Sequence, residues 1–409
     1  MVEIQTCRIS GSKNLMSVLN LGRQALTGVF PKSTSHPVSV GPLELVWCSD
    51  SGLLQLKHSY DLNEMYGENY GYRSGLNESM REHLRRKVAN LLKVKPVLAG
   101  DVVLDIGSND GTLLAEYKIS GLRRIGIDPS GAKFAHYYAS DITLIPDFFS
   151  AEALNSIVPR QGISLITSIA MFYDLESPRT FVSDIESILA KDGIWHLEQS
   201  YMPSMLRTNA YDTVCHEHIE YYSLSVIKDL IEAFDLRIID VGMNSVNGGS
   251  FAITVARKAS KYCANSAVIN WLLEQEDRMG LDTPRPYRDF EDRVYRHRND
   301  LRRLIRQLSD DNKKIVGYGA STKGNVLLQF CDMSSRDLQC IAEINVDKFG
   351  SFTPGTKIPI VSEQEAKSMN PDYMLVLPWH FRESIMRREA EFLANGGKLI
   401  FPLPEIEIV

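Results

Sequence analysis

Three stretches of the chain hold residues whose types and spacing could do chemistry. The first is Val102–Leu114, VVLDIGSNDGTLL. It reads as a buried strand over Val102–Ile106, a tight turn from Gly107 to Gly111, and a helix starting at Thr112. The two glycines allow a sharp turn and let a ligand approach the main chain closely. The G-x-x-x-G spacing lacks both the G-x-G-x-x-G of dinucleotide binders and the Gly-Lys-Ser/Thr of a P-loop. A second strand, Arg124–Ile127, ends in Asp128, seventeen residues after Gly111, where a carboxylate can accept from both hydroxyls of a ribose. Asp147, in Ile145-Pro-Asp-Phe-Phe149, is placed to take an adenine amino group while Phe148 stacks on the ring. Asp105 either binds the amino-acid end of such a ligand or orders the loop. Asn109 and Asp110 in the turn, and Met171 after a later strand, complete this candidate set.

The second stretch is Tyr211–Ser223, which contains the consecutive residues His216, Glu217 and His218. A zincin needs H-E-x-x-H, and Glu220 stands where the second histidine would be. In an extended segment both histidines would share one face and Glu217 the other. They could then be two metal ligands, or hydrogen-bond the backbone at a domain seam. The preferred reading makes one of them a general base, since imidazole titrates near neutrality. The third stretch is Gly317-Tyr-Gly319-Ala-Ser-Thr-Lys323-Gly-Asn325, a glycine-rich turn entering a helix. Its N–H groups and Lys323 suit a phosphate, and the absent third glycine argues against a dinucleotide.

The elements that must position these groups alternate strand and helix. Strands are expected at Ile163–Ile169, Gly193–Leu197, Arg237–Val241 and Phe251–Ala256, with helices at Glu78–Leu92, Pro178–Ala190 and Leu224–Phe234. That order argues for an α/β fold with a doubly wound parallel sheet. Phe172 and Tyr173 follow the fourth strand and are placed to flank a ligand. Lys313–Tyr318 begins a second, smaller Rossmann-like unit, after a helical connector whose charged residues face solvent. The expected organisation is a small amino-terminal module (1–75), a ligand-binding domain (76–257), a connector (258–312) and a carboxy-terminal Rossmann-like domain (313–409).

The amino-terminal module is β-rich. Cys7-Arg-Ile-Ser10-Gly11 and Cys48-Ser-Asp-Ser51-Gly52 look like two knuckles of a zinc ribbon in which serine replaces each second cysteine. Two thiolates are too few for a closed four-ligand site, so zinc is not expected. Tyrosines cluster at Tyr66, Tyr70 and Tyr72 in a glycine-rich loop, where side chains often line a site. With 51 acidic and 45 basic residues, a formal net charge of −6, the chain has no electrostatic footprint for nucleic acid. No apolar run reaches membrane-spanning length and no signal peptide is visible. Six scattered cysteines read as reduced thiols of a cytoplasmic protein.

The Gly107–Gly111 turn with Asp128 and Asp147 resembles the S-adenosylmethionine site of class I methyltransferases. Over almost the whole chain, the paired knuckles, Ile106-Gly-Ser-Asn-Asp-Gly-Thr112, His216-Glu-His218, Gly248-Gly-Ser250 and Gly317–Lys323 resemble the sugar C-methyltransferases, which act on nucleotide-linked 4-keto-6-deoxyhexoses. The resemblance implies an S-adenosylmethionine cofactor and a nucleotide-sugar substrate in the cleft between the two larger domains. It implies His218 as base, with Glu217 and Tyr72 near the sugar. Tyr72, or a neutral His216, would donate to the developing oxyanion. Tyr70, Tyr201, Tyr222, Lys323 and Asn325 are the expected substrate contacts. Cys215 and Met171-Phe-Tyr173 depart from the family pattern, which has a tyrosine and a histidine there, and mark a divergent subgroup. Methyl transfer to oxygen or nitrogen of a sugar precursor, and non-catalytic nucleotide-sugar binding, are the other readings.

Overall fold

Seven strands form the central sheet: β1 (Val102–Ile106), β2 (Arg123–Ile127), β3 (Ile142–Ile145), β4 (Ile163–Ile169), β5 (Leu189–Ser200), β6 (Leu236–Asn244) and β7 (Ser250–Arg257). They lie in a computed structural model that describes residues 1–61, 65 and 72–409, so Tyr66 and Tyr70 fall outside the described residues. The spatial order is β3-β2-β1-β4-β5-β7-β6. Neighbours are parallel from β3 through β5, and β7 runs antiparallel to both β5 and β6. All five residues of β1 are buried, as expected for a strand covered on both faces. The strand order reverses between β1 and β4, so their carboxyl ends open the crevice where sheets of this kind take ligands.

Helices cover both faces. Helix α1 (Glu78–Val94) places Leu84, Val88 and Leu91 over Val103, Leu165 and Ile194. On the other face, α2 (Pro178–Ile188) and α3 (Leu224–Glu232) pack Phe181, Val182, Ile185, Ile227 and Leu230 onto Trp195 and Leu197. Two further helices, α4 (Ser266–Met279) and α5 (Arg285–Asp310), form the connector. Helix α5 buries Phe290, Val294, Leu301, Ile305 and Leu308 and leaves its arginines mostly outside.

The carboxy-terminal sheet contains β8 (Ile315–Tyr318), β9 (Ile341–Glu343), β10 (Ile360–Ser362), β11 (Tyr373–Val376), β12 (Lys398–Phe401) and β13 (Glu407–Ile408), in the order β10-β9-β8-β11-β12-β13. Only the last pair is antiparallel. Helix α6 (Thr322–Phe330) follows β8 through the glycine turn. This is the second Rossmann-like unit expected from the sequence.

The amino-terminal module contributes Leu15–Ala25, Val40–Cys48 and Leu54–Leu56 to a four-stranded sheet whose remaining strand is Glu220–Tyr221. The segment immediately after His218 is therefore knitted into the amino-terminal module, with Glu220 opposite Gln55 and Tyr221 opposite Leu54. The module also binds the carboxy-terminal domain: Ala25 N–H donates to Gln329 Oε1 at 2.7 Å, and Asn325 Nδ2 donates to the Thr27 carbonyl at 2.7 Å. One apolar core runs from the module through α5 into the carboxy-terminal sheet.

The two knuckles have matching turns. Gly11 N–H donates to the Cys7 carbonyl and Gly52 N–H to the Cys48 carbonyl, both at 2.8 Å, with both glycines left-handed at φ +71° and +72°. Each cysteine meets the serine of the other knuckle: Cys7 Sγ lies 3.2 Å from Ser51 Oγ, and Cys48 Sγ 3.6 Å from Ser10 Oγ. Leu53 is buried in the same apolar cluster as the two cysteines, while Leu54 and Leu56 belong to the core shared with α5.

Candidate active site

A cavity of about 680 Å³ lies at the carboxyl ends of β1 and β4 and extends to the carboxy-terminal domain. Its first lobe is lined by Asp105, Gly107, Asn109, Asp128, Phe148 and Met171. Gly107 has φ +72°, and a Cβ there would sit 3.0 Å from the Met171 side chain, so only glycine fits the turn. Asp128 shapes the loop from beneath: Oδ2 accepts from Asn109 N–H at 2.8 Å, and Oδ1 from Ser130 N–H at 2.7 Å and Ser130 Oγ at 2.5 Å. Asp105 is buried, with Thr167 Oγ1 donating to it at 2.6 Å. Burial, reinforced by the Asp128 charge, pushes its carboxyl up to about 7.

Asp110 and Gly111 act outside the cavity wall. Asp110 accepts from Gly75 N–H at 2.9 Å and from Thr112 Oγ1 at 2.6 Å, which anchors the loop carrying Tyr72. Asn109 Oδ1 accepts from Ser74 N–H at 2.9 Å and tightens the same closure. Gly111 has φ +75° and backs onto the Tyr138 ring. Asp147 is a correction: it is exposed, its Oδ1 takes the N–H of Phe148 at 2.7 Å, and it does not line the cavity, although Phe148 does. Phe172 is another, being fully buried against Trp195, Phe181 and Tyr222.

The second lobe is lined by Tyr173, Glu217, His218, Lys323 and His380, and Tyr72 lines the cavity from the side of the Gly107 turn, its carbonyl accepting from Asn109 Nδ2 at 3.2 Å. The 216–218 segment is a turn, not a strand, with His218 N–H donating to the Cys215 carbonyl at 3.2 Å. The two histidines consequently part company. His216 is fully buried, meets the Tyr60 ring edge-on at 4.6 Å and lies outside the cavity, so the expected oxyanion role does not fit it. Burial holds it neutral, at about 4. His218 lies against the Tyr173 ring at 4.3 Å. Its Nδ1 is 3.1 Å from the Thr213 carbonyl, which can only accept, so Nδ1 carries the proton and Nε2 the lone pair. Burial, then the Lys323 charge, pushes the His218 imidazole down to about 3.

Glu217 reaches the same lobe from beneath the amino-terminal module. Thr27 Oγ1 donates to it at 3.4 Å, and a Cβ on Gly28 would fall 2.4 Å from its Oε1. Burial raises its carboxyl, favouring the protonated form. Lys323, at the start of α6, feels Asp212, whose Oδ2 accepts from Trp379 Nε1 at 2.8 Å. Burial lowers the Lys323 ammonium and raises the Asp212 carboxyl, and each charge opposes the shift of the other.

Three expected substrate contacts are packing groups instead. Tyr201 donates to Glu276 at 2.7 Å, Tyr222 donates to Glu220 at 2.6 Å, and Asn325 is spent on Thr27. All three are buried away from the cavity. Conversely, Glu198 and Gln199 at the end of β5 and His380 after β11 line the cavity without having been assigned roles from sequence. Glu198 accepts from His83, Lys87 and Asn244 at 2.6, 2.7 and 2.7 Å. Burial alone would raise its carboxyl, but His83 and Lys87 hold it at about 2. The available signal was a polar pair, Glu198-Gln199, at the ligand end of a buried strand.

Among the described residues, no group of three or more histidine, cysteine or acidic side chains is arranged to hold a metal, and no helix is long and apolar enough to cross a membrane.

Three family models match successive parts of the chain, and the last of them begins within the final hairpin of the central sheet and includes the connector. A methyltransferase domain model matches residues 76–241, a C-methyltransferase C-terminal domain model matches 245–404, and a zinc binding domain model matches 7–66. C-methyltransferase NovU of Streptomyces niveus is 32% identical over 409 residues, covering 99% of this chain and 97% of that protein. Among solved structures, an S-adenosylmethionine-dependent methyltransferase from Aquifex aeolicus (16% identity, TM-score 0.33) covers 44% of this chain and 94% of its own. The N-methyltransferase NodS from Bradyrhizobium japonicum (15% identity, TM-score 0.32) covers 44% of this chain and 98% of its own. With the match to NovU spanning nearly its full length, and methyltransferase models covering both large domains, this chain belongs to the S-adenosylmethionine-dependent C-methyltransferases.

Proposed function

We propose that the enzyme methylates a carbon next to the ketone of a nucleotide-linked keto-deoxysugar through an enolate, with His218 as general base. The observation that carries this reading is the fixed tautomer of His218, with Nε2 unprotonated in the wall of the cavity that continues to the Gly107 turn. In the first lobe, Asp128 would hold the ribose hydroxyls, Phe148 the adenine face, and Asp105 the amino-acid end of S-adenosylmethionine. Bound there, the cofactor supplies an electrophilic methyl group on a sulfonium.

His218 Nε2 takes the proton from the carbon beside the ketone, and the electron pair moves onto the carbonyl oxygen. Tyr72 donates to that oxygen as its charge grows. S-Adenosylmethionine held by Asp128, Phe148 and Asp105 would supply the methyl group that the enolate carbon accepts, with the thioether as its leaving group. Glu217, favoured in its protonated form, donates to a sugar hydroxyl. Lys323 and the N–H groups at the start of α6 face the diphosphate. Acceptor and cofactor then sit in one enclosed volume, so positioning supplies much of the rate. The test is solvent deuterium exchange at the acceptor carbon of nucleoside-diphosphate 4-keto-6-deoxyhexoses without cofactor. Exchange is expected, and methylation of a sugar oxygen without exchange would overturn the enolate.

The same reading gives the amino-terminal module no metal. Its support is the donor set, two thiols and two neutral hydroxyls that satisfy one another pairwise, and hydroxyls are poor zinc ligands beside thiolates. The purified protein should contain far less than one zinc per chain by elemental analysis. The double variant Ser10→Cys/Ser51→Cys should recover stoichiometric zinc.

A further inference from the structure

Gln199 is the residue in the cavity wall whose burial and hydrogen bonding disagree most. It is 1% exposed and lines the cavity, yet neither its Nε2 nor its Oε1 has a hydrogen-bond partner among the described residues. A buried primary amide normally has partners, because leaving it unpaired forfeits the hydrogen bonds that water would have made. The adjacent Glu198 shows the contrast, with three donors on its carboxylate. Glu198 points to the α1 face of the sheet. By strand alternation Gln199 points to the opposite face, with Trp195 and Leu197. That face carries the turn Phe172–Asp174, since the Phe172 ring packs on Trp195 at 5.6 Å. The same turn presents Tyr173, which abuts His218. Gln199 is thus held on a strand in the wall of the cavity that His218 also lines, with its polar atoms unpartnered among the described residues.

We propose that the Gln199 carboxamide donates to the carbonyl oxygen of the methyl acceptor and holds the charge that forms there when His218 removes the proton. This deepens the enolate reading above and rests on it. His216 lies outside the cavity and cannot serve. Tyr72 is half exposed on a loop, and Gln199 would be a second donor to the same oxygen, fixed on a strand. A neutral donor fixed before the reaction stabilises a developing oxyanion without reorganising at the moment of transfer. Its Oε1 remains to accept from a neighbouring sugar hydroxyl, which gives preference for an acceptor with a hydroxyl beside the ketone.

The test compares the full-length wild type with Gln199→Leu and Gln199→Met, the second of which keeps the length of the side chain but removes the donor. Four quantities are read: deuterium exchange into a nucleoside-diphosphate 4-keto-6-deoxyhexose, methyl-transfer kcat and KM, S-adenosylmethionine affinity by calorimetry, and ligand-free melting temperature. Expected is a fall in exchange rate and kcat of about 10²- to 10³-fold in both variants, with cofactor affinity unchanged. Ligand-free Gln199→Leu should melt no lower than wild type, because an unpaired amide has been replaced by an apolar side chain. Wild-type exchange and turnover in the variants would overturn the proposal. So would loss of cofactor affinity, which would make Gln199 a cofactor ligand, or a lowered melting temperature with proportionate loss of activity, which would make it structural. Wild type that methylates its substrate with no exchange would instead overturn the enolate reading beneath it.

Discussion

His218→Ala should lower methyl transfer by about two to four orders of magnitude, the usual contribution of a positioned general base, while leaving S-adenosylmethionine affinity nearly unchanged. The separation is expected because His218 lies in the second lobe, lined with Glu217 and Lys323, and the Gly107 turn and Asp128 form the first. Parallel calorimetry and turnover on the same sample check it. A folded variant that loses cofactor binding, or retains full turnover, would remove His218 from the role of base. The pH profile makes a second check. The imidazole is held down to about 3 by burial and by the Lys323 charge, below the 6.5 of an exposed histidine. Nε2 therefore stays available as pH falls from 7 to 5, and activity should not decline through 6.5 by protonation of the free base. Stability takes the opposite sign. Between those two pKa values the unfolded chain binds a proton that the folded one refuses, so this group makes the fold less stable as pH falls through 6.5.

Asp128→Ala should abolish measurable S-adenosylmethionine binding, with S-adenosylhomocysteine lost alongside. Two ribose hydroxyls donating to a carboxylate are worth about 1.5–3 kcal/mol each, so their loss weakens binding by at least about 100-fold. The substitution also frees the Asn109 and Ser130 N–H groups that the carboxylate holds at 2.8 and 2.7 Å, which relaxes the Gly107–Gly111 turn. Asp128→Asn separates the two effects, since an amide oxygen keeps one of these bonds. It should bind more weakly than wild type and better than alanine. Calorimetry that finds wild-type affinity in a folded Asp128→Ala protein would mean that the turn serves another ligand.

What the sequence disclosed about this site follows the range of the interactions involved. Val102–Ile106 was legible because a strand buried on both faces must be apolar throughout, and Gly107 because its backbone conformation excludes other residues. Asp128 was legible from its place just past the end of β2, although the helix expected from Thr112 is only a 3-10 turn, Leu114–Glu116, between β1 and β2. Tyr201, Tyr222 and Asn325 were misread because their partners Glu276, Glu220 and Thr27 become neighbours only through folding. Glu198 was passed over for the same reason: a carboxylate ending a buried strand makes sense only once His83 and Lys87 arrive from α1. The histidines were assigned one face on the assumption of a strand. The turn at His216–Glu217 instead sends His216 into the Tyr60 contact and leaves Glu217 and His218 in the cavity.

The pairing of Glu220–Tyr221 with Gln55 and Leu54 has a consequence for how the chain matures on the ribosome. The amino-terminal sheet is synthesised early but cannot close until residue 221 has emerged. In the interval Leu54–Leu56 is an open edge, able to pair with any passing strand. The strand that covers that edge follows closely on the His216–Glu217 turn, whose Glu217 lies against Thr27 and Gly28, so the pairing also anchors the segment that bears the base. Exchanging amino-terminal modules between relatives should accordingly fail unless the 211–222 segment travels with them, since the two form one folding unit joined across the length of the central domain.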